Sequence, residues 1–340
     1  MDRIEQRKKN WVDFMDMSTD QTRLLVMECS ETMPVRPALW WEKAKERVEW
    51  SYERYMRQME NMEWLEDNTI PFLSMITGTE IFAEAFGCKV HKPIDNTPFA
   101  LPMITTAKEA TKIKIPRLED TKLVTLFEMA DKLRDRVGPK ALFSFPDLQT
   151  PMDIVALIWD KTYLFMAFYD EPEAVQELAA KVKVLLEEFL DQWTQRYGPE
   201  FIAHYPDFYM PTGITVSEDE VGSVSAELYR EFFRNELDEI AERYHAIGVH
   251  CCANSNHQWE NFKNIPNLKL LNIVGPVERL SAAVDFFQNE VPLYLGQNYD
   301  IMAEEVPPKA HIAMYVTLPT KKEALEYTKR FNEKFQNTRK

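Results

Sequence analysis

Apolar residues recur along this chain in two rhythms. One is the spacing of a helix face, carried by Ala174, Val175, Leu178, Val182, Leu185, Leu186, Phe189 and Trp193, and again by Leu228, Phe232, Phe233, Leu237, Ile240 and Tyr244. Residues 118–137, 152–168, 277–288 and 321–335 follow the same rhythm. The other is a short apolar run bounded by turn residues, which reads as a buried strand. Such runs occupy residues 141–145, 207–210, 247–252, 269–274 and 292–296, and a further strand lies in the segment that opens with Asn68. Asp170, Pro172 and Glu173 look like a capped helix start, Ser225 like a second cap, and Gly87 like a helix stop.

Strand and helix alternate over most of the 340 residues, with no linker and no internal repeat. That order predicts an α/β fold, and the length suits a (β/α)8 TIM-type barrel better than an open sheet. Residues 1–66 read as a helical N-terminal extension and residues 67–340 as the barrel, together one domain. The extension is rich in aromatic residues. Trp11, Trp40, Trp41, Trp50 and Trp64 are five of the 8 Trp, and ten of the 16 Met lie by position 103. At helical spacing these are packing residues first, and secondly the wall of an apolar substrate site in which Trp40 and Trp41 would take part. Arg47, Arg54 and Arg57 stand among many Glu and read as a solvated, salt-bridged face.

Charge narrows the partners. A formal net charge of −15 disfavours nucleic acid and anionic membrane, and also a strongly anionic substrate unless a basic pocket is hidden in the total. With 9 Gly there is no glycine-rich phosphate loop. The four cysteines, Cys29, Cys88, Cys251 and Cys252, give no disulfide framework. The N-terminus lacks the apolar core of a signal peptide and no run is of membrane length, so the cytoplasm is the expected location.

Candidate chemistry concentrates at AIGVHCCANSN, residues 246–256. Alternation along a strand puts His250 and Cys252 on one face and Cys251 on the other. An imidazole and a thiol at a strand's end make half of a zinc site; His250 also reads as a hydrogen-bonded core histidine. Glu218 and Glu220, with Asp219 as a third option, follow the preceding strand and could converge on that pair, or could simply be an exposed acidic loop before a helix. Asn254, Asn256, His257 and Gln258 could orient a substrate or only cap the next helix. Tyr315 and Tyr299 could donate a proton at the rim, and His311 is a stray ligand candidate.

Several segments in order resemble the uroporphyrinogen decarboxylase superfamily. They are FGCKV at Phe86, DNTP at Asp95, the PMDIVALIWDKTYLFMAFYDEPEAVQEL stretch from Pro151, SVSAELYREFF from Ser223, HCCAN at His250, LGQNYD at Leu295 and TLPTKKEA at Thr317. The resemblance implies a (β/α)8 barrel. Its corrinoid-dependent methyltransferase branch holds zinc with a His-x-Cys pair, matched by His250 and Cys252, and a late Cys, which this chain lacks. The decarboxylase branch matches less well: its arginine-rich motif is not recognisable around Arg36, and its early aspartate and late histidine are replaced near Gly78 and Tyr315. The resemblance therefore implies a methyltransferase moving a methyl group from a small methylated compound to a corrinoid protein. On that expectation Zn2+ is held by His250, Cys252 and Glu220, with Glu218, Glu220 and Tyr315 catalytic and Asn254, His257, Trp40 and Trp41 against substrate. The aromatic N-terminal region suggests an aromatic methyl ether as donor. The alternatives are a metal-free decarboxylase and a degenerate barrel that only binds.

Overall fold

Runs that are apolar on both faces can be buried only between layers, and here they become parallel strands. The computed structural model describes residues 2–94, 96–302 and 306–335. Asp95, which opens the DNTP segment, lies outside them. In chain order the strands are β1 (Arg23–Cys29), β2 (Phe72–Leu73), β3 (Leu142–Phe143), β4 (Ile214–Ser217), β5 (Ile247–Cys251), β6 (Leu268–Ile273), β7 (Leu293–Gly296) and β8 (Ile312–Leu318). Strands β1, β8, β7, β6, β5 and β4 lie side by side in that order, all parallel, and β2 pairs in parallel with β3.

Backbone hydrogen bonds carry the ring round between these two sheets. The Asn68 N–H donates to Leu25 O at 2.7 Å, linking β1 to the lead-in of β2. Beyond β3, Ser217 N–H donates to Leu148 O at 2.8 Å and Thr150 N–H to Ser217 O at 3.0 Å. An antiparallel hairpin, Phe201–Ile202 with Tyr209–Met210, stands in the same gap, where Phe145 N–H donates to Ile202 O. The fold is a (β/α)8 barrel, with the helices outside the strands.

The helices include α1 (Arg3–Met15), α2 (Ala44–Asn61), α3 (Pro151–Ile158), α4 (Lys161–Asp170), α5 (Pro172–Tyr197), α6 (Arg234–Tyr244), α7 (Val277–Phe287) and α8 (Lys321–Phe335). The predicted stripe of α5 is buried, and Trp193 packs among Phe127, Phe143 and Phe189. Among the described residues no helix is long and apolar enough to cross a membrane.

Four local expectations are corrected. The N-terminal stretch is not helical throughout: Arg23–Cys29 is β1, paired with β8 along its whole length. Six of its seven residues are buried, so the run has no alternation by which to tell it from a buried helix. The helix expected over residues 152–168 breaks at Trp159-Asp160, where Asp160 starts α4 by accepting the Thr162 N–H. Asp170 ends α4 and caps nothing, and α5 starts without a side-chain cap. Arg47 and Arg54 do not lie on a solvated face, being only 2% and 7% exposed. Ser225 caps as expected, accepting the Leu228 N–H.

The lumen is filled from both ends. Trp11 of α1 donates its indole N–H to Asn68 O and packs against Phe208 and Tyr294. Phe208 in turn lies over Gly248, where a Cβ would come within 2.7 Å of its ring. Gly248 and His250 share a face of β5 by alternation, so His250 looks into the lumen, and Cys252 follows the last residue of the strand.

Glu80 offers a test of this packing. It begins the short helix Ile81–Ala85, is 2% exposed, and burial pushes its carboxyl up to about 7. A carboxyl raised in the folded state binds its proton more tightly there, so stability falls as pH rises from about 4.5 to about 7. Glu80→Gln removes that dependence. The gain in melting temperature of the variant over the parent should therefore be larger at pH 8 than at pH 5, and an equal shift at both would show that Glu80 is not held neutral by burial.

Candidate metal centre and cavity

The ends of β4 and β5 meet at the C-terminal mouth of the barrel, where (β/α)8 enzymes place their chemistry. There one ligand atom each of Asp219, His250 and Cys252 lies within 4.8 Å of the others. The loops are drawn together by Asp219 Oδ1, which accepts the Cys252 N–H. Asp153, on α3, supports the acidic turn from beneath: its carboxylate accepts the N–H groups of Asp219 and Glu220 at 2.6 and 2.9 Å. Gly222 permits the close approach, since a Cβ there would come within 2.7 Å of Ala253 Cβ.

His250 is set by its neighbours. Asn272 on β6, paired in register with His250, donates its amide N–H to Tyr294 O and so turns its oxygen toward His250 Nδ1. Nδ1 then carries the proton and Nε2 keeps its lone pair for a ligand. The Tyr205 ring meets the imidazole edge-on at 4.9 Å. Cys252 is exposed at the rim, but partial desolvation and the nearby Asp219 push its thiol up to about 12. Cys251 points the other way, buried, with its thiol on Ser255.

The surroundings are crowded with acid. Burial and mutual repulsion raise Asp153 and Glu218 well above the carboxylate range, and burial beside Asp219 takes Asp147 to about 7. Among the described residues Glu218 Oε2 and Glu220 Oε1 are buried oxygens with no hydrogen-bond partner, and Asp147 Oδ1 lies 3.3 Å from His204 Nε2. The donor set of carboxylate, imidazole and thiol suits a borderline ion such as zinc, and a divalent charge would offset the acid excess.

A cavity of about 340 Å3 lies on the far side of Tyr205 from His250, and none of the three cluster residues lines it. Glu28, Ser74, Ser144 and Tyr315 line it from β1, the ends of β2 and β3, and β8, with Met33, Trp50 and Ile76 as apolar wall. The hairpin loop contributes His204, Tyr205 and Asp207. Arg54 of α2 grips both sides: its Nη2 donates to Glu28 at 3.2 Å and to Asp207 at 3.0 Å, with the guanidinium over the Phe72 ring. A second hollow of about 190 Å3 shares Tyr205, Pro206 and Tyr315 with the first. His204 is buried and held neutral, its imidazole pushed down to about 3 by burial and by His250, with Nε2 3.1 Å from Ser217 Oγ.

Of the residues singled out in the sequence, His250 and Cys252 come together, and Tyr315 lines both hollows. Glu220 does not join them: its carboxylate pairs with Lys161 at 2.6 Å, and Asp219, the third option, is the acid that lies with them. Glu218 is buried behind the strand, accepting from Thr150 Oγ1 at 3.1 Å. Asn254 is exposed, and His257 is tied to Val224 O at 2.8 Å. Neither lines a cavity described here, nor do Trp40 and Trp41; Trp41 donates to Glu84, and Trp50 takes the place in the wall. Asp153, His204, Tyr205 and Asn272 were not foreseen. Asn272 had a signal, a lone amide inside the apolar run LKLLNIV, and His204-Tyr205-Pro206-Asp207 is a polar cluster between apolar segments.

Gly222→Val should separate the Asp219 and Cys252 loops and weaken divalent-ion binding by about tenfold or more. Zinc titration of the parent and variant checks this, and equal affinities would show that the close approach is immaterial.

The chain matches no curated protein, but it matches solved structures. One is a methyltransferase from Methanosarcina mazei, with 10% sequence identity, coverage of 98% of either chain and a TM-score of 0.66, a likeness of fold. The family model for uroporphyrinogen decarboxylase (URO-D) matches residues 66–283, more than half of the sequence. The barrel, with its strand-end cluster, therefore belongs to the uroporphyrinogen decarboxylase family.

Proposed function

We propose that the chain is a methyltransferase that moves a methyl group from a small methylated compound to a corrinoid on a separate protein, with zinc held by Asp219, His250 and Cys252. The observation that carries this is the convergence of those three ligand atoms within 4.8 Å at the barrel mouth. The fold likeness to a methyltransferase supports it. Zinc, when bound, would polarise the heteroatom that loses its methyl group.

The chain's own groups supply the rest. Asn272 keeps His250 in the tautomer that leaves Nε2 free. Asp153 and Asp219 fix the relative position of the two ligand loops. Trp50, Ile76 and Met33 give an apolar wall that suits a weakly polar donor, an aromatic methyl ether among them, and keep water from the reacting bond. Burial and the nearby Glu28 and Asp207 hold the proton on the Tyr315 phenol, whose O–H can then donate a hydrogen bond to the departing oxygen.

A decarboxylase acting on a ring with many carboxylates is the second reading, and the cavity does not favour it. Arg36 and Arg54 line the hollow, but Arg54 is already engaged by Glu28 and Asp207. Several cationic partners would be needed.

Elemental analysis of the purified protein should find one zinc per chain, lost in Cys252→Ser and Asp219→Asn and kept in Glu220→Gln. No zinc in the parent, or full zinc in Cys252→Ser, overturns the reading. Tyr315→Phe should lower the methyl-transfer rate by about 100-fold with zinc content unchanged; an undiminished rate would remove Tyr315 from the reaction.

A further inference from the structure

The acid of this chain is unevenly spread. Overall it carries −15, yet between Phe86 and Arg117 six Lys and Arg stand against two acids. Within this stretch Lys89–His91 and Phe99–Leu101 form an antiparallel hairpin apart from the barrel sheet. Its register sets Lys89 opposite Leu101 and His91 opposite Phe99, while Val90 and Ala100 alternate to the other face. The outer face is therefore both apolar and basic: Phe99 and Leu101 are each 42% exposed, and Met103, next on the same side, 38%. A few residues on, Lys108 and Lys112 stand one turn apart on an exposed helix face, followed by exposed Lys114. Lys89, Lys108, Lys112 and Lys114 make no ion pair among the described residues.

This surface runs on to the candidate site. Met103 N–H donates to Ile158 O and Asp160 N–H to Ile104 O, which seats the hairpin's continuation beside the start of α4. Helix α4 turns Tyr163, Met166 and Tyr169 outward, 48%, 55% and 74% exposed, at the spacing of one face. Its first residue, Lys161, holds Glu220, the neighbour of Asp219. The start of α4 thus sits against Glu220, next in sequence to Asp219 of the candidate cluster.

We propose that the hairpin face and the outer face of α4 dock an acidic protein; on the reading given above, which this inference rests on, that protein carries the methyl-accepting corrinoid. Charge complementarity selects an acidic occupant, and like charge keeps the same patch on two copies from meeting face to face. Phe99 and Leu101 keep more than half of their surface covered beside His91 and Lys89, which suits a protein surface rather than insertion among lipids.

The test uses the full chain, a corrinoid-loaded carrier protein from the same organism as probe, and free cob(I)alamin as a small acceptor. In Lys89→Glu/Lys112→Glu the carrier's Kd, measured by calorimetry, should rise about tenfold or more and lose most of its salt dependence, with transfer to free cob(I)alamin unchanged. An unchanged Kd, or binding to phosphatidylserine vesicles with none to the carrier, overturns the proposal. Carrier binding without methyl transfer would leave the docking face standing and sink the methyltransferase reading. Methyl transfer with charge-independent carrier binding would do the reverse.

Discussion

One hydrogen bond organises the mouth of this barrel: the carboxylate of Asp219, at the end of one strand, accepts the backbone N–H of Cys252, at the end of the next. It draws an oxygen, a sulfur and an imidazole into the reach of a single ion. It holds only because other features yield to it. Gly222 leaves room for the facing loop, and Asp153 spends its carboxylate on two backbone N–H groups of the acidic turn. The adjoining acids are then too close and too dry to ionise together, and burial with their mutual repulsion raises Glu218 and Asp153 above the usual carboxylate range.

The wider charge pattern follows the same division. Negative charge is packed into the mouth, where a cation would be welcome. Positive charge is gathered on a hairpin and helix outside the ring of strands. The total of −15 conceals both. A sum over a chain sets solubility and long-range attraction, while recognition depends on where the individual charges fall.

Much of the architecture was legible because it rests on periodicity. The stripe of α5, the short strand β5 and the face that His250 takes on it all come from spacing alone. Strand β1 was not legible, since RLLVMEC is buried on both sides and carries neither rhythm. At the candidate site, two ligand positions could be read from one strand. The third could not be fixed, because Glu218, Asp219 and Glu220 are adjacent and only the turn's conformation decides which reaches inward. Arg54 misled for a related reason: among so many Glu its spacing resembles a solvent face, whereas its partners, Glu28 and Asp207, are remote in sequence.

That guanidinium has a mechanical consequence. It clamps the end of β1 to Asp207, and two residues before Asp207 the ring of Tyr205 presses on His250. The width of the hollow and the seating of the imidazole are thus geared together. A guest that pries Asp207 away from Arg54 also shifts the ring beside the ligand, so the shape of what enters is felt where the ion would sit.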